Sequence, residues 1–293
     1  MRRDYGGEAD LQDLQRFAQR IWSPGSRWHI GDLAWNLGQA PTTAAGRPMA
    51  LWRIGAEPVA WGWLEAPDEL ALLVDPARPE LAEQVLDWAE GVTSAPPTVT
   101  VFDSERHLDA ALRRRGYSAD TEGPYFLAHR RDLAVLPGVP RLPAGFVVRP
   151  VRGEADLTRR VAVHREVWHP SALTEERYRT LVRRWPYRSA FDVVVEAPDG
   201  RFVAYCLGWY DEVNRAGLFE PVGTLAEFRR QGLGRAAGIA VLRAFRDAGA
   251  ETAVVYARGD DAYPVPKQLY AALGFAPHAR TVSYRRRRGR VSG

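Results

Sequence analysis

The chain has 293 residues, 46% of them apolar and ten of them tryptophan, which excludes a disordered chain and leaves room for two hydrophobic cores. Its single cysteine, Cys206, cannot make an internal disulfide, the start (Met1, Arg2, Arg3, Asp4) leads into polar sequence, and no run approaches a membrane span; the expectation is a cytoplasmic protein with no membrane partner. The net charge of +4 is unevenly shared, with 14 Lys+Arg against 20 Asp+Glu in residues 1–140 and 26 against 16 in residues 141–293.

In chain order, helical periodicity runs over Ala9–Ile21 and Ile30–Leu37. Strand-like runs follow at Ala50–Ile54, Val59–Leu64 and Leu70–Val74. A helix over Pro79–Glu90, a strand over Val99–Phe102, a helix over Glu105–Arg115 and a strand over Tyr125–Arg130 complete a first half. Pro137, Pro140 and Pro143 then mark a stiff linker. The second half repeats the order: a strand at Phe146–Arg149, helices near Glu154–Val167 and Thr174–Trp185, and a meander of Phe191–Glu196, Phe202–Tyr210 and Gly217–Thr224. Helix, strand, helix and strand close it. Short-turn strands followed by strands alternating with helices predict an α/β chain of two tandem units, each a mixed, mostly antiparallel sheet flanked by helices. The expected limits are 1–131, a linker at 132–144, and 145–293.

The most specific stretch lies between the last strand of the meander and the helix after it. Arg229, Arg230, Gln231, Gly232, Leu233, Gly234 and Arg235 form a basic turn with two glycines, and the helix continues to a stop at Gly249. Glycine lets successive backbone amides crowd inward, so such a turn aims several N–H groups and the positive end of a helix dipole at one spot that suits an anion, typically a phosphate. Further on stand Leu269, Tyr270, Gly274 and Phe275. An Arg/Gln-x-x-Gly-x-Gly/Ala turn after the fourth strand, with a later Leu-Tyr-x-x-x-Gly-Phe, resembles the GNAT superfamily of N-acetyltransferases, and the duplicated layout is similar to that of mycothiol synthases, in which the carboxy-terminal domain is catalytic.

The resemblance implies acetyl-CoA as co-substrate and no metal. The diphosphate would sit on the amides of Gln231, Gly232, Leu233, Gly234 and Arg235, with Arg229 and Arg230 beside it, and the pantetheine arm would pair with backbone groups of Val222 and Thr224. Tyr270 maps onto the family's general acid. Glu220, read as alternating onto one face with Val222 and Thr224, is the candidate base, with an arginine-paired carboxylate as its bland alternative; Asp211 and Glu212 are second choices. Tyr263 stands where an asparagine is common, and Ala226 where a proline is.

The first half has Val74, Asp75 and Pro76 in place of Thr224 and the turn, and Leu112 in place of Tyr270, so it keeps the fold without the chemistry. The implied activity is acetyl transfer to the amine of a small molecule by a monomer or homodimer; the alternative is a coenzyme A-binding sensor or scaffold without turnover. The run Arg285–Arg288 lacks the interleaved aromatics of a nucleic-acid footprint and reads as a solvated strand end. His164 and His169, five apart, do not share a helix face as a metal pair would. Cys206 reads as an inert buried thiol, while Trp168, Trp185 and Trp209 divide between acceptor pocket and core.

Overall fold

The structure, a computed structural model, describes residues 1–39, 47–260 and 262–286. The first half contains β1 (Arg2–Asp4), α1 (Glu8–Ile21), α2 (Ile30–Gln39), β2 (Met49–Ile54), β3 (Glu57–Ala66), β4 (Glu69–Val74), α3 (Leu81–Val92), β5 (Thr98–Phe102), α4 (Arg106–Arg114), β6 (Ser118–Asp120) and β7 (Phe126–Asp132). The second contains β8 (Val147–Pro150), α5 (Leu157–Val167), α6 (Glu175–Leu181), β9 (Asp192–Glu196), β10 (Phe202–Asp211), β11 (Ala216–Thr224), α7 (Leu233–Asp247), β12 (Thr252–Arg258), α8 (Val265–Ala272) and β13 (Ala276–Arg285). The expected order of elements is present, with β1 and β6 added; three residues are too few to show a period.

The helix expected over Thr174–Trp185 is shorter. Thr174 caps it, its hydroxyl accepting from the Arg177 amide at 3.2 Å, but after Leu181 the chain tightens into turns, with Arg183 N–H donating to Thr180 and Arg184 N–H to Leu181. Pro186 then disfavours helical backbone at Trp185. Arg285 ends β13 and faces Asp120 at 3.7 Å, and Arg286 pairs with Glu90 at 2.9 Å, while Arg287 and Arg288 lie outside the described residues.

Helices cover both faces of the second half's meander, which is why β10 is buried at every position. On one face α7 presents Ala237, Val241 and Phe245 to Phe219 and Cys206. On the other, α5 and α6 are joined by α2 of the first half, which brings Ala34 and Trp35 against Leu207, Trp209 and Leu218. The approach is close enough that a Cβ on Gly31 would overlap the Trp209 side chain.

The halves also share strands. β7, from the end of the first half, pairs along its whole length with β12, from Asp132↔Thr252 to Phe126↔Arg258. β13 then pairs with β7 through Ala276–Arg280 and crosses to pair with β5 through Thr281–Tyr284. The two mixed sheets thereby join in the order β1-β2-β3-β4-β5-β13-β7-β12-β11-β10-β9-β8, with β6 on β13. We propose 1–131 and 145–293 as the repeated units in sequence; in space they interlock. Expressed alone, residues 145–293 would leave β12 and β13 without the strand between them, and are expected to give no cooperative thermal transition by circular dichroism, whereas the full chain gives one.

Candidate active site

The site begins where a ladder stops. β11 and β12 pair in parallel from Ala216↔Thr252 to Phe219↔Val255 and no further, although β11 runs on beside β10 to Thr224↔Ala204 and β12 runs on beside β7. A gap therefore opens between them, walled by backbone. The Leu225 amide donates to the Val203 carbonyl at 2.9 Å, so residues 225 and 223 bond towards β10, and by the alternation of an antiparallel pair Val222 and Thr224 turn their N–H and C=O groups into the gap. Arg229 Nε donates to the Thr224 carbonyl at 3.2 Å; the Thr224 N–H and both polar groups of Val222 have no partner among the described residues. An extended ligand with amides of its own can complete that ladder.

The register of β11 slips next to the gap. Val222 faces Cys206 and Phe219 faces Gly208, so Glu220 and Pro221 together stand opposite Leu207. This is a bulge, and it corrects the expected alternation. Cys206 and Gly208 share a face of β10, so their partners Val222 and Phe219 share it too, towards α7. Glu220, next to Phe219, falls on the opposite face with Leu218, towards α2, α5 and α6. The first half shows what the bulge adds: β4 pairs with β3 without a slip from Val74↔Ala60 to Leu70↔Leu64, so its strand is one residue shorter between the last parallel pair, Leu70↔Val99, and the strand end.

Glu220 is half-buried, and no cation among the described residues lies within ion-pair distance of it, which removes the arginine-paired reading. Burial alone pushes its carboxyl up to about 7. Asp211, by contrast, is spent on a turn: it accepts from Gln19 Nε2 at 2.7 Å and from the amides of Val213 and Asn214, at the end of β10 away from the gap. Glu212 is exposed and pairs with Arg188. Neither second choice is available as a base.

At the mouth of the gap the glycine turn has the expected form. Gly232 has φ +80° and caps α7, and Arg230 takes the left-handed region at φ 65°, which costs a non-glycine residue on the order of 1 kcal/mol. The first turn-forming bond of the helix is Ala236 N–H to Gly232 O at 2.9 Å; the amides of Gln231, Gly232, Leu233, Gly234 and Arg235 have no acceptor among the described residues. Gly234 packs on β11 so tightly that a Cβ there would lie 2.7 Å from Thr224 Oγ1, which keeps the amide row beside the backbone of the gap. Arg229 and Arg235 spend Nε on the Thr224 and Ala272 carbonyls, leaving their terminal guanidinium nitrogens without a partner among the described residues. Amides, dipole and arginines together suit a diphosphate.

Tyr270 lies on α8 and is 7% exposed. Its hydroxyl has no hydrogen-bond partner among the described residues and is not fully sealed from solvent. Burial, reinforced by Cys206 and Glu220, holds the phenol well above its ordinary range and therefore protonated. The first half supplies its footing: His129 of β7 packs against the ring at 6.1 Å, and Arg131 of β7 donates to the carbonyls of Leu273, at the end of α8, and Val135. A cation at a helix carboxy terminus complements the dipole.

Three surrounding groups were not legible as site residues. Asp32 of α2 accepts from the His29 amide at 2.9 Å; burial, then the charge of Glu220, holds its carboxyl well above the usual range. Tyr256 of β12 donates to the Ser26 carbonyl at 3.3 Å. Tyr205 accepts from Trp168 Nε1 at 2.7 Å and shares a hydrogen bond with His164 Nδ1 at 2.8 Å; burial, then Arg160, holds His164 down at about 3, so its imidazole is neutral. Trp209 is core, its indole N–H on the Glu220 carbonyl at 2.6 Å, whereas Trp168 and Trp185 are about half exposed. Cys206 is buried, and burial pushes its thiol up.

Residues 159–275 match the model of the acetyltransferase (GNAT) family. That match lies within the second half, and over nearly its whole length the chain shares the fold of a tandem GNAT protein. It is similar over 97% of its length to 97% of a tandem GNAT protein from the clavulanic acid biosynthesis pathway, at 16% identity and TM-score 0.63. A GNAT-family acetyltransferase from Colwellia psychrerythraea matches over 98% of this chain and 100% of its own, at 13% identity and TM-score 0.65. A GCN5-related N-acetyltransferase from Sphaerobacter thermophilus matches over 97% and 94%, at 16% identity and TM-score 0.60. At such identities the likeness is one of fold. No protein of curated function matches the sequence.

The raised Glu220 carboxyl has a consequence for stability. Between its ordinary value of 4.5 and about 7 the folded protein keeps this proton and the unfolded chain releases it, so the group opposes folding increasingly through that window and fully above it. Glu220→Gln is expected to stabilise the protein at pH 8 by about 1–3 kcal/mol and to leave it unchanged at pH 4, as read from urea unfolding midpoints.

Proposed function

We propose that the protein transfers the acetyl group of acetyl-CoA to the amine of a small molecule by direct attack. The observation that carries the reading is an unpaired carboxyl poised near neutrality on the bulge of the splayed strand, with the unpartnered Tyr270 hydroxyl electrostatically close to it. The thioester supplies an activated acyl group. The amides of Gln231, Gly232, Leu233, Gly234 and Arg235 hold its diphosphate, helped by Arg229 and Arg230, each bond to a charged oxygen contributing about 1.5–3 kcal/mol. Val222 and Thr224 pair with the pantetheine arm.

Glu220 takes the proton from the amine, which must be neutral to attack, and a group with pKa about 7 does so at little cost near neutral pH. Tyr270 gives its proton to the departing thiolate. Asp32 lies close enough to Glu220 for the Glu220 charge to add to burial in raising its carboxyl, so Asp32 stands beside the acceptor side as a neutral acid.

Incubation with acetyl-CoA and a panel of amines, following free thiol, is expected to show release with small amines. Binding of coenzyme A with no release for any acceptor would instead identify a sensor or scaffold. Tyr270→Phe is expected to lose about 10²–10⁴ in kcat and to retain coenzyme A binding by calorimetry. In the wild type kcat/KM should rise with pH to a plateau, with an inflection near 7 that Glu220→Gln abolishes together with most of the rate. Full activity in either variant would remove that residue from the mechanism.

A further inference from the structure

The first half has a gap of the same construction, and this chain fills it with its own side chains. β4 and β5 part after Leu70↔Val99. The Asp75 amide donates to the Val59 carbonyl at 2.9 Å, so by the same alternation Leu72 and Val74 of β4 face the gap, as Val222 and Thr224 of β11 face theirs. Trp28 Nε1 donates to the Leu72 carbonyl at 3.0 Å, and His107 Nε2 bonds the Val74 carbonyl at 3.1 Å. Across the gap the Arg27 guanidinium donates to the Thr100 carbonyl of β5. Trp28 is buried edge-on against Trp61 at 5.0 Å, with the Arg27 guanidinium 5.0 Å from its ring. In the first half's gap the Leu72, Val74 and Thr100 carbonyls are thus taken by side chains of this chain, whereas in the second half only the Thr224 carbonyl is.

Two of the closing residues, Arg27 and Trp28, belong to a strap that continues to the other site. Ser26 accepts from Tyr256, on the β12 wall of the second gap; His29 Nε2 bonds the Ala216 carbonyl of β11 at 3.3 Å; Gly31 lies against Trp209; and Asp32 follows, within charge interaction of Glu220. Seven consecutive residues thus run from the filled gap to the acceptor side of the open one. We propose that the first half's gap has become a socket, and that Trp28 is a positioning residue whose anchorage in it holds the strap against the acceptor side of the second half's site. The assignment rests on the acetyl-transfer reading above.

Two consequences separate this from a merely packed core. Coenzyme A should bind once per chain, in the second half. Loosening the anchor should disturb the acceptor and leave the cofactor alone, because the strap contacts β12, Ala216 and Trp209 while the amide row belongs to α7.

Trp28→Phe keeps a buried ring and removes the N–H donor. It is expected to raise the KM for the amine about five- to tenfold with the KM for acetyl-CoA unchanged. His107→Leu uncaps the same gap without touching the strap, and should lower the thermal midpoint while leaving both KM values as in the wild type. An unchanged amine KM in Trp28→Phe, or an equal rise in both KM values, overturns the positioning role, as does an amine KM that rises equally in His107→Leu. Calorimetry of the wild type with coenzyme A tests the socket: one site supports it, and two sites overturn it while leaving the acetyl-transfer reading intact. No binding at all overturns that reading, and the positioning role with it.

Discussion

The structure depends on two parallel strands being held together at one end and apart at the other. β11 and β12 share a ladder only as far as Phe219 and Val255, and each is then committed to a different outer neighbour. Backbone N–H and C=O groups facing a gap must find partners or stay wet, so the divergence creates an unfilled edge inside the fold. The other site features are arranged round that edge. The bulge projects Glu220 from one wall, the Gly234 contact sets the amide row beside it, and α8 presents Tyr270.

The two copies of the fold have answered the same problem in opposite ways. In the second, the gap-facing groups other than the Thr224 carbonyl, which Arg229 takes, are left for a ligand. In the first, indole, imidazole and guanidinium groups from the same chain take the Leu72, Val74 and Thr100 carbonyls. The first copy also supports the second. It contributes β7, which flanks β12 and braces α8 through His129 and Arg131, and it contributes α2, which covers the acceptor face.

Much of this was readable beforehand, for identifiable reasons. The glycine turn carries its own signature, since Gly232 sits at positive φ and Gly234 at a contact too close for a Cβ. The strands and helices of both halves show their periods. The face of Glu220 was misread because a bulge leaves no mark in the residue pattern: the apparent alternation of Glu220, Val222 and Thr224 holds only if no residue is inserted opposite β10. Asp32 and Tyr256 escaped because their place depends on how the halves pack, and nothing local to Ile30–Leu37 says that its helix covers another unit's sheet. The exchange of β7 and β13 was equally hidden, since strand pairing between distant segments is written in neither partner alone.

The crossing of β13 also sets a timetable for synthesis. Residues Thr281–Tyr284 complete the first half's sheet beside β5, and they are made long after it. Until they emerge, an amino-terminal unit whose other strands are already made keeps an open edge, the kind of surface on which nascent chains associate with one another. A chain released before Thr281 would therefore leave the earlier-made unit incomplete as well as the later one.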